Sequence, residues 1–149
     1  MPYLLDTVTI SAFRRDGRTP PAVLRWSASL DERCHCLSVI SLNEIRFGIR
    51  TVEAKDPDFG QRLHRWYQSI VEEERFYRIL AVDREIAELA ALFRADYETP
   101  YYDSLIAATA KVHGLILATR NTGDFTDSPV LGITPTDFLS RYKPFSTLG

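Results

Sequence analysis

YYDSLIAATAKVHGLILAT, residues 101–119, predicts a helix that leads straight into a buried strand. The helix should end at Gly114, because glycine readily adopts the left-handed backbone conformation that closes many helices. The following run, LILAT, is almost wholly apolar, as expected of a strand that is covered on both faces of its sheet. Such a helix-to-strand unit is typical of α/β domains with a parallel sheet.

Strands and helices alternate in the same way along the rest of the chain. Apolar runs predict strands at residues 2–6, 34–40, 77–82 and 115–119, and a fifth at 130–133. Amphipathic or capped segments predict helices at residues 7–15, 21–33, 42–50, 59–76, 84–97, 101–114 and 136–142. We therefore expect a single α/β domain over residues 1–149, with a mostly parallel sheet of four to five strands.

The composition excludes several classes of protein. Of the 149 residues, 45% are hydrophobic, which is enough for a core without stabilising crosslinks. No apolar run is long enough to span a bilayer, and the N-terminus lacks the positive charge of a signal peptide. Cys34 and Cys36 are predicted to be reduced in a cytoplasmic protein, because a disulfide across so short a span would be strained. With a net charge of -2, affinity for nucleic acid must come from local basic clusters.

Four acidic residues fall where ligands bind in open α/β sheets, at the carboxyl ends of the strands. Asp6 ends the first strand, Glu44 follows the second, and Asp124 lies in the loop after the fourth. Asp103 begins a helix that runs back antiparallel to the sheet, so its carboxylate is level with the same edge. Asp83 also follows a strand, but we interpret it as a helix cap alone. Whether the four carboxylates converge depends on the strand order, which spacing along the chain does not determine.

Each of the four acids also has a purely structural interpretation. Asp6 can cap the helix that follows it, and Ser41 and Glu44 have the spacing of a capping box, with Ser41 at the N-cap. Asp103 suits the N-cap or first turn of its helix, and Asp124 is an ordinary turn residue. Taken singly, each structural interpretation is the stronger one. The functional interpretation depends on the four acids acting together.

Three segments of the chain resemble a known family. YLLDTVTIS (3–11), SVISLNEIRFGI (38–49) and YYDSLIAATAKVHGLILATRNTGDF (101–125) are similar to the PIN-domain ribonucleases, and specifically to the VapC-type toxins of bacterial toxin–antitoxin pairs. The resemblance covers nearly the whole chain, and residues 103–125 are its most specific part. It implies a PIN-like three-layer α/β/α fold and Mg²⁺- or Mn²⁺-dependent cleavage of RNA. It also implies a homodimer and a VapB-like antitoxin whose C-terminal segment occupies the active-site groove.

The resemblance assigns a role to each acid. Asp6 and Asp103 would hold the principal metal ion, Asp124 would complete its coordination, and Glu44 would bind a second ion or orient the attacking water. Such ions prefer carboxylates and water as ligands, neutralise phosphate charge and activate water. The remaining candidates are Thr119 and Asn121, which would orient carboxylates or waters, and Arg120 and Arg46, which would contact RNA phosphates. Both arginines have the alternative interpretation of solvated surface residues, which for Arg120 is equally strong.

The main alternative is a non-catalytic α/β interaction module in which every acid is only a helix cap. It predicts no metal dependence, and a loss of only about 1 kcal/mol of stability in Asp103→Asn. Two other classes fit poorly. A haloacid-dehalogenase phosphatase needs a second acid where Val8 stands, and a receiver domain needs a late lysine beside its site, whereas Lys111 lies within a helix.

Overall fold

The computed structural model describes residues 3–12, 21, 35–72, 77–119 and 132–133. Five strands and five helices lie within these ranges. In chain order they are β1 (Tyr3–Leu5), α1 (Thr7–Ala12), β2 (His35–Ser38), α2 (Val39–Glu53), α3 (Pro57–Glu72), β3 (Arg78–Leu80), α4 (Arg84–Tyr97), α5 (Tyr101–Val112), β4 (Ile116–Ala118) and β5 (Gly132–Ile133). Every predicted strand is therefore present, although the described part of each is shorter than its apolar run.

The five strands form one sheet in the order β3–β2–β1–β4–β5, and each pairing between them is parallel. The first strand of the chain therefore lies at the centre, where Leu4 is aligned with Cys36 on one side and with Leu117 on the other. Because the strands are parallel, their carboxyl ends meet at one edge of the sheet. This order confirms the predicted parallel α/β fold and brings together the residues that follow β1, β2 and β4.

Helices cover both faces of the sheet, which produces the three layers of the predicted fold. Along β1, Leu4 belongs to one core cluster, and Tyr3 and Leu5 belong to the other, as the two-residue period of a strand requires. Leu4 packs in the cluster that α4 and α5 supply with Phe93 and Ile106. The cluster on the opposite face is supplied by α1, α2 and α3, through Ile10, Ile45, Ile49, Leu63 and Ile70.

The start of α2 differs from the prediction. Val39 and Ile40 continue the apolar run of β2 but are helical, and the N-cap is Ser38, whose Oγ accepts a hydrogen bond from the Ile40 N–H at 3.1 Å. The predicted capping box is therefore wrong, because Ser41 is a fully buried residue of the first turn and Glu44 lies beyond that turn. Both serines suit a cap, and the earlier one is used because the pairing of β2 with β3 ends there.

Two other helix boundaries confirm their predictions. Asp83 caps α4, since its Oδ1 accepts a hydrogen bond from the Ile86 N–H at 2.9 Å. After α5, Gly114 has a φ of 65°, and the Leu115 N–H bonds back to the Ala110 carbonyl oxygen at 2.8 Å. This bond satisfies a carbonyl group that the end of the helix would otherwise leave without a partner, and the chain then turns directly into β4.

Some predictions concern residues outside the described ranges: the helix at 136–142, most of the helix at 21–33, and the state of Cys34. Cys36 is buried and forms no disulfide, as predicted. Within the ranges given above, no helix has the length and apolar character that crossing a membrane requires.

Candidate active site

Asp6 lies at the carboxyl end of the central strand, where it is fixed by its neighbours. Its N–H donates to the Ala118 carbonyl oxygen at 3.1 Å, which continues the pairing of β1 with β4. Its Oδ1 accepts a hydrogen bond from the Thr9 N–H at 2.8 Å and so caps α1. The Thr9 hydroxyl donates to the same Ala118 oxygen at 3.1 Å. Asp6 is only 7% exposed, so its carboxylate is held in one place at the edge of the sheet.

Glu44 is joined to the turn after β1 by a side-chain hydrogen bond. The Thr7 Oγ1 lies 2.7 Å from the Glu44 Oε1 and 3.2 Å from the Ser41 Oγ. A hydroxyl group carries one proton, so Thr7 donates to the carboxylate and Ser41 donates to Thr7. Ser41 is completely buried, and Glu44 is half-buried. These two hydroxyl groups therefore fix one oxygen of Glu44 beside the residue that follows Asp6.

Asp103 approaches the same edge from α5. It is half-buried in the first turn of that helix, as one of its structural interpretations predicts. Because α5 leads directly into β4, the beginning of α5 lies level with the carboxyl ends of the strands. α2 packs against α5, and Tyr102 lines the same groove as Asn43, the residue before Glu44. Asp103 and Glu44 therefore lie on neighbouring helices at the carboxyl edge.

The described residues do not form a compact metal-binding cluster by themselves. In the ranges that the structure describes, no group of three or more His, Cys, Asp and Glu side chains is arranged to hold a metal ion. The predicted fourth acid, Asp124, and its neighbours Arg120 and Asn121 lie outside these ranges. Thr119 is completely buried directly after β4. Arg46 is exposed on α2, in the groove that Tyr102 lines.

The donor atoms at this edge are of the chemical kind that a hard divalent cation prefers. They are the carboxylate oxygens of Asp6, Glu44 and Asp103 and the hydroxyl groups around them. Mg²⁺ prefers oxygen ligands and commonly binds through one or two carboxylates while it keeps several waters. The Asp6 Oδ2 and the Glu44 Oε2 accept no hydrogen bond from the described residues, so each acid retains an oxygen for such an ion.

Sequence reasoning does not single out Thr7, and it assigns Ser41 to a helix cap. Only their positions in the sequence could have identified these two residues. Thr7 follows Asp6 directly, and Ser41 shares a helix face with Glu44 at a spacing of i, i+3. To recognise that Thr7 contacts Glu44 and that Ser41 contacts Thr7, the pairing of β1 with β2 must be known. That pairing brings Thr7 to Glu44, which is 37 positions away in the chain.

Comparisons with known proteins agree with this fold. The PIN domain family model matches residues 3–128. Toxin FitB of Neisseria gonorrhoeae is 33% identical over 138 residues, covering 89% of this chain and 96% of FitB. Ribonuclease VapC14 of Mycobacterium tuberculosis is 38% identical over 71 residues, covering 48% of this chain and 68% of that protein. The crystal structure of FitAcB from Neisseria gonorrhoeae matches with a TM-score of 0.77 at 31% identity, covering 90% of this chain and 98% of the other. With sequence and fold in agreement over most of its length, the chain belongs to the PIN domain family, as its three resembling segments predict.

Proposed function

We propose that this chain is a Mg²⁺- or Mn²⁺-dependent endoribonuclease that acts as a toxin and is neutralised by an antitoxin. Its family and its similarity to proteins named as a ribonuclease and a toxin support the proposal. The structural observation that carries it is the hydrogen bond between the Thr7 Oγ1 and the Glu44 Oε1. Through that bond, Asp6 and Glu44, two acids from distant parts of the chain, are held at one edge of a parallel sheet.

The same bond argues against a module in which the acids only cap helices. Capping accounts for the Asp6 Oδ1, which accepts a hydrogen bond from the Thr9 N–H. It does not account for Glu44, because α2 is capped by Ser38 and Glu44 lies beyond its first turn. A carboxylate in that position satisfies none of the N–H groups that the start of a helix leaves without partners.

Hydrolysis of a phosphodiester requires neutralised phosphate charge and an activated water, both of which a bound divalent ion supplies. Asp6 and Asp103 would hold that ion, and Asp124 would complete its coordination. Glu44 would bind a second ion or orient the attacking water. Because Thr7 occupies its Oε1, the Oε2 of Glu44 is the atom that remains for this task. The supporting residues would be Thr119 and Asn121, which order carboxylates or waters, and Arg120 and Arg46, which contact RNA phosphates.

We also propose the partners that toxins of this kind have, namely a second copy of the chain and a VapB-like antitoxin. An arginine of the antitoxin, placed against the free oxygens of Asp6 and Glu44, would displace the metal by direct ion pairing. RNA access and metal binding would then be blocked together.

Expression of the chain alone, as wild type and as Asp6→Asn, tests the nuclease proposal. Each purified protein is incubated with cellular RNA in the presence of Mg²⁺, Mn²⁺ or a chelator. Wild type should cleave RNA only with metal, and Asp6→Asn should lose more than about 100-fold in rate, since it lacks a charged ligand. Asparagine keeps an oxygen for the Thr9 N–H, so the metal-free variant should be as stable as wild type or more stable.

Asp83→Asn is the matched control, because Asp83 caps α4 in the same way after a strand further from the centre of the sheet. It should cleave RNA like wild type. Cleavage in chelator, or equal cleavage by Asp6→Asn, would contradict the proposal. A large loss of stability in Asp6→Asn, measured by thermal unfolding without metal, would instead support a role for Asp6 in capping alone.

A further inference from the structure

A groove between α2 and α3 opens next to the acids of the candidate site. It has a volume of about 1230 Å³, and α5 contributes Tyr102 to its wall. Two of the residues that line it, Asn43 and Tyr102, are the chain neighbours of Glu44 and Asp103. One end of the groove therefore adjoins the carboxyl edge of the sheet, where a phosphodiester would be cut.

Aromatic rings are exposed along the wall of the groove. Phe47 is 75% exposed and Tyr102 is 47% exposed. On α2, Phe47 follows Glu44 at a spacing of i, i+3, so the two side chains share a helix face. A solvated phenylalanine adds little to the stability of the fold, because an apolar side chain stabilises a protein by being buried. Flat rings in this position are surfaces on which nucleobases can stack.

Arg46 precedes Phe47 on α2 and lines the same groove. Its Nη1 donates to the His64 Nδ1 at 3.0 Å, and its guanidinium carbon lies 5.4 Å from the centre of the Tyr67 ring. Both contacts orient the guanidinium group, and neither neutralises it. Arg50, further along α2, pairs with Glu53, whereas Arg46 forms no ion pair with any acid that the structure describes.

We propose that this groove binds single-stranded RNA beside the cut, with bases stacked on Phe47 and Tyr102 and a phosphate on Arg46. The proposal rests on the nuclease function proposed above and names the residues that hold its substrate. Stacking tolerates any base, and a guanidinium group matches the oxygens of a phosphate with parallel N–H donors. The bases of a duplex are already stacked on one another, so the RNA that binds here is unpaired.

Binding to a fluorescein-labelled oligoadenylate, measured by fluorescence anisotropy in chelator so that the RNA stays intact, tests the two rings. Phe47→Ala and Tyr102→Ala should each weaken binding about 5-fold to 150-fold, the loss that one stacked base predicts. Tyr102→Phe keeps the ring and should restore most of the affinity that Tyr102→Ala loses. Leu92→Ala is the matched surface control, because Leu92 is 57% exposed on α4 and outside the groove, and it should also bind like wild type.

Arg46→Gln tests the phosphate contact through its salt dependence. The slope of log affinity against log salt concentration should fall in magnitude by about 0.7, the value for one phosphate contact on a single strand. An RNA duplex should bind wild type more weakly than oligoadenylate. An unchanged slope, or equal affinity for the duplex, would contradict the proposed mode of binding.

Cleavage assays with metal separate this proposal from the nuclease proposal. If wild type cleaves RNA, and the Phe47 and Tyr102 variants bind and cleave as well as wild type, then the groove proposal is wrong and the nuclease proposal stands. If those variants lose RNA binding but no metal supports cleavage by wild type, the groove proposal stands and the nuclease proposal fails. If they bind RNA normally but escape inhibition by a protein partner, the groove binds protein and the RNA proposal is wrong.

Discussion

Thr7 carries no charge, yet it determines where an acid of the candidate site points. Its hydroxyl holds the Glu44 Oε1 at 2.7 Å, and the buried Ser41 hydroxyl lies 3.2 Å away on its other side. Without the Thr7 contact, the half-buried Glu44 side chain could occupy other rotamers. Residues that orient metal ligands typically contribute about 10-fold to 100-fold to metal affinity or activity.

Thr7→Val should therefore impair the site while it preserves the shape of the side chain. We expect Mn²⁺ affinity and the rate of RNA cleavage to fall by about 10-fold to 100-fold, because Glu44 is no longer held in place. The free energy of unfolding should fall by only about 0.5–1.5 kcal/mol, the usual contribution of one hydrogen bond. Calorimetric titration with Mn²⁺ and urea unfolding measure the two effects.

Thr7→Ser is the matched control, because it retains the hydroxyl group and should restore Mn²⁺ affinity and cleavage. If Thr7→Val is destabilised but binds Mn²⁺ and cleaves RNA like wild type, then Thr7 has a structural role alone. At this scale, the sequence predicts the acids by their positions after strands. It does not predict Thr7, whose partner becomes visible only when β1 and β2 are paired.

Gly60 sets how closely two helices approach. A Cβ atom at this position would lie 2.7 Å from the Glu53 Cα, which belongs to the backbone and cannot turn aside. α2 and α3 are therefore in backbone contact at the point where the chain turns from one to the other. The groove discussed above lies between the same two helices, and both Gly60 and Glu53 line it.

Gly60→Ala should lower the free energy of unfolding by up to about 2 kcal/mol, measured by urea unfolding. Alanine gains about 1 kcal/mol of helix propensity, but overpacking against Glu53 should cost about 1–3 kcal/mol and force the helices apart. Gly48→Ala is the matched control, because Gly48 is exposed in α2 and a Cβ there meets nothing within 4 Å. It should raise stability by about 0.5–1 kcal/mol. A stabilising Gly60→Ala would show that the helices separate without cost.

The described helices and strands are largely predictable from the sequence, and the differences lie at their ends. Asp83 and Gly114 mark boundaries correctly, because each makes a backbone interaction that few other residues provide. The start of α2 is not predictable in this way. Ser38 and Ser41 are both competent caps, and Val39 and Ile40 suit a strand as well as a buried helical turn.

The stability of the whole fold should depend on the protonation of His35. This residue begins β2, and its ring stacks on Tyr77 with ring centres 5.5 Å apart. Burial lowers the pKa of His35 from the usual 6.5, so the unfolded chain takes up a proton more readily than the folded one. The contribution of the neutral His35 side chain to stability is therefore fully present above pH 6.5. It is lost as the pH falls through the lowered pKa of His35.

His35→Phe should reduce the loss of stability on acidification, because it keeps an aromatic ring against Tyr77 but cannot be protonated. The measurement is the free energy of unfolding in urea at about pH 7.5 and about pH 5, on either side of the usual histidine pKa. His64 and His113 are common to both proteins, so the difference between wild type and variant isolates His35. If both proteins lose the same stability between these pH values, His35 titrates no differently in the folded and unfolded states.

The class of fold is predictable from the sequence, because alternating helices and doubly buried strands leave few other arrangements. The order of the strands is not, because it is set by contacts between segments far apart in the chain. That order decides which strand ends become neighbours, and the sequence could therefore name Asp6, Glu44 and Asp103 without showing where the fold places them. The family resemblance supplies what spacing alone does not.

The central position of β1 bears on when the candidate site can form during synthesis. β1 is made before the other described elements, yet its neighbour β4 begins only at Ile116. Asp6 is bonded to Ala118, so a nascent chain that lacks β4 cannot set this carboxylate in place. The candidate site can therefore form only after residue 118 has been synthesised, although Asp6 itself is made more than a hundred residues earlier.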